Sequence, residues 1–554
     1  MNKIWFLLLL ITTQNLFAQK FYLKIEGSSV KETKTIDSLG YLKQHKSVAS
    51  ILDEKKAFEN KLLANGFFTH KLLEQKKVND SSFVFKYQLN NSIRAIIVQT
   101  KNFTQVEKEI LAIENDTISI LPSEIETWMK FKLSLLEKKG YALAKLQLVN
   151  QKNKDSYIYS DLKVSLNTKR QVNDLVILGY DKFPKNIKQN WLRKLRKRTF
   201  NQEIINEVSS DIENFPFVTQ TRAPEILFTK DSTKIYTYLE KTKPNKFDGF
   251  IGFANDEENT KLTFNGYLDL NLINILNSGE KFNLYWRNDG NQQTSFNLGT
   301  EIPYWFKTPF GAKANLKIFK QDSTFQNTQL NLDVGYYFSY NKKLYLGYQS
   351  INSVDIQSVN SVSLNDFKSK FYTLSFDFLK RNNSDFLFPE KTNLYLKFGT
   401  GNRTITAKST NQFFTEIIAS HNLYLNNKNV ISIKNQSYYL DSENYVINEL
   451  YRFGGINSIR GFRENTLQAN FFSGLMAEYR YLLTPSLYVH SITDYGYFQD
   501  KTTNLQGNLL GLGFGFGMLT QNGLFHLVYA NGSTNDQAIK LSNSIVQINF
   551  KTNF

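Results

Sequence analysis

Apolar and polar positions follow two different rhythms along this chain, and the change falls near residue 244. Before it, helix-like segments with apolar residues three and four apart run into stretches that alternate apolar with polar. One junction recurs: residues 61–68 (KLLANGFF), 135–141 (LLEKKGY) and 211–217 (DIENFPF), each about 75 residues after the last. Gly66 and Gly140 stand where a helix C-cap favours a left-handed residue, and Pro216 takes that place in the third copy. Alternation follows each time, over 82–89, 156–166 and 234–239, as a sheet with one covered face requires. Three copies of a strand, helix, helix, strand, strand unit are expected, at 19–92, 93–169 and 170–244.

From 245 to 554 only the period of two remains, broken by short turns rich in Asn, Gly and Lys. Residues 330–338, 342–349, 371–379, 393–398 and 430–433 all alternate. In the last segment Val546, Ile548, Phe550 and Phe554 share one face, and Gln547, Asn549, Lys551 and Asn553 the other. At roughly 19 residues per strand and connection, this half predicts about 16 antiparallel strands. Tyr304, Trp305 and Phe306 fit an interfacial aromatic girdle. Beyond the N-terminus no run reaches the ~18 apolar residues of a membrane helix, so a membrane location requires a closed barrel.

Composition sharpens this picture. The chain has 554 residues, too many for one ordinary core. A basic start, an apolar stretch from Ile4 to Ile11 and a small residue at Ala18 predict a secretory signal peptide over 1–18. Cysteine is absent, which removes disulfides, thiolate metal sites and a cysteine nucleophile. The net charge of +17 is uneven, with +13 in residues 20–244 and +3 in 245–554. An exported protein rarely meets nucleic acid, so lipid headgroups or unfolded chains are the expected partners of that excess. Within the third unit, Trp191, Leu192 and Leu195 form a helix stripe among Arg193, Lys194, Arg196, Lys197 and Arg198, a candidate headgroup contact.

The candidate site lies at residues 452–462, Arg-Phe-Gly-Gly-Ile-Asn-Ser-Ile-Arg-Gly-Phe. Gly454, Gly455 and Gly461 read as a loop with backbone positions that suit glycine. A buried Arg460 on such a loop needs carboxylate partners, and Glu478 and Asp494 follow on strand-like segments. Alternation places Leu475, Ala477, Tyr479 and Tyr481 on one face of the first and Gly474, Glu478 and Arg480 on the other. Gly511, Gly513, Gly515 and Gly517 clear one face of a later strand, and we expect the loop to pack there.

The set Ile459-Arg460-Gly461-Phe462, with its glycines and acidic followers, resembles the signature of the BamA/TamA superfamily of outer-membrane barrels. The repeated units are similar to POTRA domains. The resemblance implies a periplasmic arm, an inward-folded loop whose arginine meets acidic groups on the inner wall, and a lateral seam between first and last strands. That seam would involve Gly249, Gly252, Phe550 and Phe554. Ile459 stands where the family usually has Val. Three POTRA-like units resemble TamA more than BamA, which usually has five.

The implied function is assembly of unfolded β-barrel clients into the outer membrane, with an accessory partner possible and no cofactor. The rival is a two-partner-type exporter, which usually has two such units and a plug helix, whereas strand-like residues 21–25 follow the leader directly. A passive porin would not need the arm. For an enzyme the sequence offers five scattered histidines and neither a nucleophile elbow nor a phosphate-binding loop.

Overall fold

The computed structural model describes residues 20–553 apart from 256–261, 289–292, 322, 358–362, 384, 522, 536–539 and 541–543. The expected leader (1–18) and Phe554 lie outside the described residues. Two units are distinguished: residues 1–171 with 198–202, and 172–197 with 203–554.

The first unit holds two small α/β domains, each with helices on one face of a four-stranded sheet. In the first, strand Phe21–Gly27 pairs in parallel with Ser82–Gln88, and helices Val30–Leu39 and Val48–Ala64 supply Ile36, Ile51, Phe58 and Leu62 to the core. The second repeats this with Ala95–Gln99 parallel to Tyr157–Ser165 and helices Gln105–Leu111 and Ile125–Lys138. Both carry a short edge strand absent from the sequence reading, Gln44–His45 and Thr117–Ile120. Segments of two and four residues are too short to show a period, so alternation could not reveal them.

In the second unit a third α/β domain precedes a closed barrel of 16 antiparallel strands running from Lys246–Asn255 to Ile545–Asn553. The third domain has a three-stranded sheet in which Asp174–Leu178 pairs in parallel with Thr233–Lys241, without the extra edge strand. Its helices are Lys185–Leu195 and Gln202–Glu213. The expected helix through Arg198 therefore stops early: Arg196 is already extended and Lys197 has φ of +65°. Trp191 and Leu195 of the predicted stripe are buried in the domain core, as their spacing requires.

This domain docks on four successive turns at one end of the barrel. Asn186 Nδ2 donates to the Ser278 and Pro303 carbonyls (2.8 and 3.0 Å), Asn190 Nδ2 to that of Lys307 (3.1 Å), and Asn383 Nδ2 to that of Phe215 (3.5 Å). The Pro216 departure has its reason here. Phe215 and Phe217 flank it, and both rings pack on Tyr340 of a barrel turn, with centroids 5.2 and 6.0 Å away. Tyr304, expected in a girdle, is instead 6% exposed and packs on Tyr337, while Phe306 beside it is 83% exposed. Lys194 also works inward, on Asp211 and Glu207. Burial opposes its charge, but Asp211 and Glu207 outweigh that and hold its pKa above the usual lysine value.

Gly279 is the close-approach point of this dock. Its φ is +78°, and a Cβ there would sit 2.3 Å from Ile187 Cδ1. Gly279→Val should therefore strain the turn by about 1–3 kcal/mol and push the third domain off it. Faster limited proteolysis at 241–246 is the expected result; an unchanged rate would show that the dock does not depend on this contact.

Candidate functional site

Residues 443–470 connect two adjacent barrel strands, Asn429–Ser442 and Phe471–Thr484, at the end away from the docked domain. The connection is much longer than a turn and folds back against the inner wall. A 3₁₀ turn at Ile447–Glu449 leads into a hairpin of Tyr451–Phe453 with Leu467–Ala469. Rings fasten its base: Tyr451 stacks on Tyr438 at 4.5 Å, and Phe453 on Phe472 at 3.9 Å, both Phe453 and Phe472 being fully buried.

Past the hairpin, Gly454, Gly455 and Gly461 all have positive φ, at 106°, 93° and 87°. Gly461 has a second reason to be glycine. A Cβ there would lie 2.3 Å from the Asn531 carbonyl carbon and the Gly532 nitrogen, on strand Gly523–Thr534. Ile459 is fully buried with its Cδ1 over Gly474 and Gly496, so the longer side chain fills space those glycines leave. Phe462 packs beside the same ring cluster.

These constraints deliver Arg460 to the wall. Its backbone N–H and Nε both donate to Asp494 Oδ2 (2.9 and 2.8 Å), Nη2 donates to Asp494 Oδ1 (2.5 Å), and Nη1 to Glu478 Oε1. Glu478 Oε2 accepts from Arg480 Nε at 2.7 Å. Asp494 is wholly buried, so the paired guanidinium is what makes its charge tolerable there. The face assignment read from alternation matches: Leu475, Tyr479 and Tyr481 are exposed outward and Gly474 is buried.

The glycine strand Leu505–Thr520 behaves differently from expectation. Only Gly511 makes room for the loop, with the Arg460 carbonyl oxygen 2.4 Å from where a Cβ would be. Beside Gly515 the space is taken by His490, and Gly513 meets the backbone of the neighbouring strand. Because Gly515 lacks a side chain, His490 and His526 meet across it with Nε2 atoms 3.0 Å apart, although they looked scattered in sequence.

Further anchors escaped the sequence reading. Arg403, 1% exposed, pairs with Glu449 and Asn444, and Asn448 Nδ2 donates to Ser353 Oγ and the Asn365 carbonyl (both 2.7 Å). Glu464 pairs with Arg287 and accepts from Tyr285 (3.3 Å), both on strand Lys281–Asn288. Partners 40 to 180 residues apart share no spacing, so only the fold could bring them together.

The loop therefore grips both sides of the barrel's seam. Strands carrying Glu478, Asp494 and Asn531 lie before the join, and the strand carrying Arg287 lies after it. At the join the described residues of the first and last strands share two pairs, Lys246 with Asn553 and Phe247 with Thr552, against ten between the first strand and its other neighbour. Gly249 and Gly252 pair with Leu268 and Asn265 of the second strand, and Phe550 with Phe525. Behind the join is a cavity of about 390 Å³ lined by Asp248, Tyr267, Arg287, Asn457, Glu464 and Asn549 among others.

Arg287 and Glu464 are partly solvated, so their pair is worth about 1 kcal/mol or less. Glu464→Lys should loosen the loop tip up to roughly fivefold in protease sensitivity, and Arg287→Glu added to it should restore protection. Failure of the double reversal would show that packing, not charge, holds this side.

No family model matches the chain, and no curated protein is similar to it in sequence. Among solved structures it is similar to CdiB from Acinetobacter baumannii and CdiB from Escherichia coli. Both have 12% identity and a TM-score of 0.52; the likeness covers 91% of this chain and 97% and 98% of theirs. It is also similar to BamA from Haemophilus ducreyi lacking POTRA domains 1–3, at 15% identity and a TM-score of 0.46, over 84% of this chain and 100% of that one. At 12% identity the likeness to the two CdiB structures is one of fold.

Proposed function

We propose that this chain, which has the barrel fold its sequence resemblance to the BamA/TamA superfamily implies, is an outer-membrane assembly factor. Its α/β domains stand in the periplasm and receive unfolded β-barrel clients, which enter the membrane at the seam. No ATP, cofactor or catalytic group is needed. Burial of the client's apolar face in lipid and completion of its backbone pairing supply the driving force.

One observation carries the reading: among the described residues the first and last strands share two residue pairs where neighbouring strands share eight or more. Unpaired N–H and C=O groups facing lipid are costly, so such an edge favours an added strand. Glu464 and Arg460 hold the loop across the same join, which gives the seam a brace that can be released.

Depletion of the protein followed by proteomics of the outer membrane and the culture medium tests this. Loss of several barrels from the membrane is the expected result. Loss of one secreted polypeptide with the barrels intact would replace assembly with two-partner-type export.

A further inference from the structure

Where the third domain meets the barrel there is a second cavity, of about 290 Å³, on the side away from the lumen loop. Its floor is Trp191 and Phe215 of the domain. Its lip is Tyr336 and Phe338, on strand Phe325–Ser339. That strand exposes Leu330, Leu332, Val334, Tyr336 and Phe338 at every second position, while Asn331, Asp333 and Tyr337 between them are buried toward the lumen side. An unbroken apolar track thus runs down the outer wall and ends at the cavity mouth.

Cations surround that mouth. Arg193 and Lys194 line the cavity, and Lys342 lies 5.7 Å over the Phe338 ring at its lip. Lys194 is engaged by Asp211 and Glu207. Arg193 donates to the protein itself through Nη1 to Asn190 Oδ1 (2.8 Å) and Nη2 to the Lys307 carbonyl (3.0 Å). Arg193, Lys194 and Lys342 against Asp211 and Glu207 leave the mouth positive. Apolar track, aromatic lip and excess cation follow one another in the order of an acyl chain, its glycerol region and a phosphate.

We propose that this cavity is a binding site for one anionic phospholipid of the same bilayer, its phosphate at Arg193 and Lys342 and an acyl chain along Phe338, Tyr336 and Val334. The lipid would bridge the third domain and the barrel wall, so that bilayer charge tightens the dock. This rests on the barrel reading above, because the occupant comes from the membrane that the barrel spans.

The test places a benzophenone amino acid at 338 in the full chain and reconstitutes it in vesicles of phosphatidylcholine alone or with 30% phosphatidylglycerol. Barrel insertion is scored separately by heat-modifiable migration. Phosphatidylglycerol should be cross-linked several-fold above its share of the bilayer. Arg193→Gln with Lys342→Gln should return it to that share, and the same probe at Tyr372, exposed on the wall elsewhere, should show no preference. An inserted chain with equal yields at 338 overturns the site while leaving the barrel reading intact, as does cross-linking to a co-purified protein in place of lipid. A chain that does not insert overturns both.

Discussion

Arg460→Ala is expected to release the lumen loop while leaving the barrel in the membrane. Asp494 is wholly buried and takes the Nε and Nη2 donors of Arg460 along with its backbone N–H, so alanine strips two charge-assisted bonds from an anion that water does not reach. Removing one partner of a buried pair costs about 3–5 kcal/mol, a factor of roughly 10² to 10⁴ in the ratio of docked to released loop. The barrel's own ladder bonds are untouched, so the loss is local. Tryptic cleavage at Arg463 should accelerate accordingly, with heat-modifiable migration unchanged and client assembly reduced. Arg460→Lys separates charge from geometry. It keeps the cation and loses the fork that spans Asp494 and Glu478, so an intermediate rate is expected. Glu478→Gln should loosen the loop less than Asp494→Asn, since Glu478 is less buried and takes one Arg460 donor where Asp494 takes three. A loop that stays protected in Arg460→Ala would assign its docking to the ring stack and to Arg403 instead.

That outcome bears on what a sequence discloses. Period-two alternation revealed the strands, and the carboxylates at 478 and 494 followed from alternation plus a charge that needed neutralising. Those inferences use neighbours in sequence or a single pairing rule. The loop's other anchors obey neither. Glu449 reaches Arg403 and Glu464 reaches Arg287 only because a closed barrel brings distant strands within reach of one loop. The glycines show the same limit from the other side. Removal of side chains from one face was legible, but the neighbour that fills the space is His490 at Gly515 and the loop at Gly511, a distinction set by stagger between strands. Trp191 and Leu195 were legible as a stripe, yet the helix ends at Leu195 because Lys197 turns left-handed to place its N–H on the Val172 carbonyl. The short edge strands of the first two domains and the barrel dock of the third have no signature in any single segment.

If the protein works as the assembly factor proposed above, locking the seam should abolish client insertion altogether. Phe247 and Thr552 face each other across the join, and paired residues of antiparallel strands lie about 4.5–5.5 Å apart at Cα, inside the range a disulfide spans. The chain has no cysteine, so Phe247→Cys with Thr552→Cys leaves no competing thiol. A covalent link denies the client the free edge of either strand. On that reading an incoming strand satisfies its backbone at this edge, so partial activity is not expected. Reductant should restore assembly in the same sample, which removes misfolding as an explanation. A matched pair at Gln329 and Ile351, within the continuous wall, should form a disulfide and change nothing, because those strands pair along their full length already. If the oxidised seam pair still supports activity, the substrate must travel through the lumen. Arg460→Ala then becomes the informative companion: a lumen route is widened by releasing the loop, whereas an edge route loses the brace that presents its strand. An active locked seam together with a gain in Arg460→Ala would therefore establish export, and joint loss of activity would establish insertion at the edge.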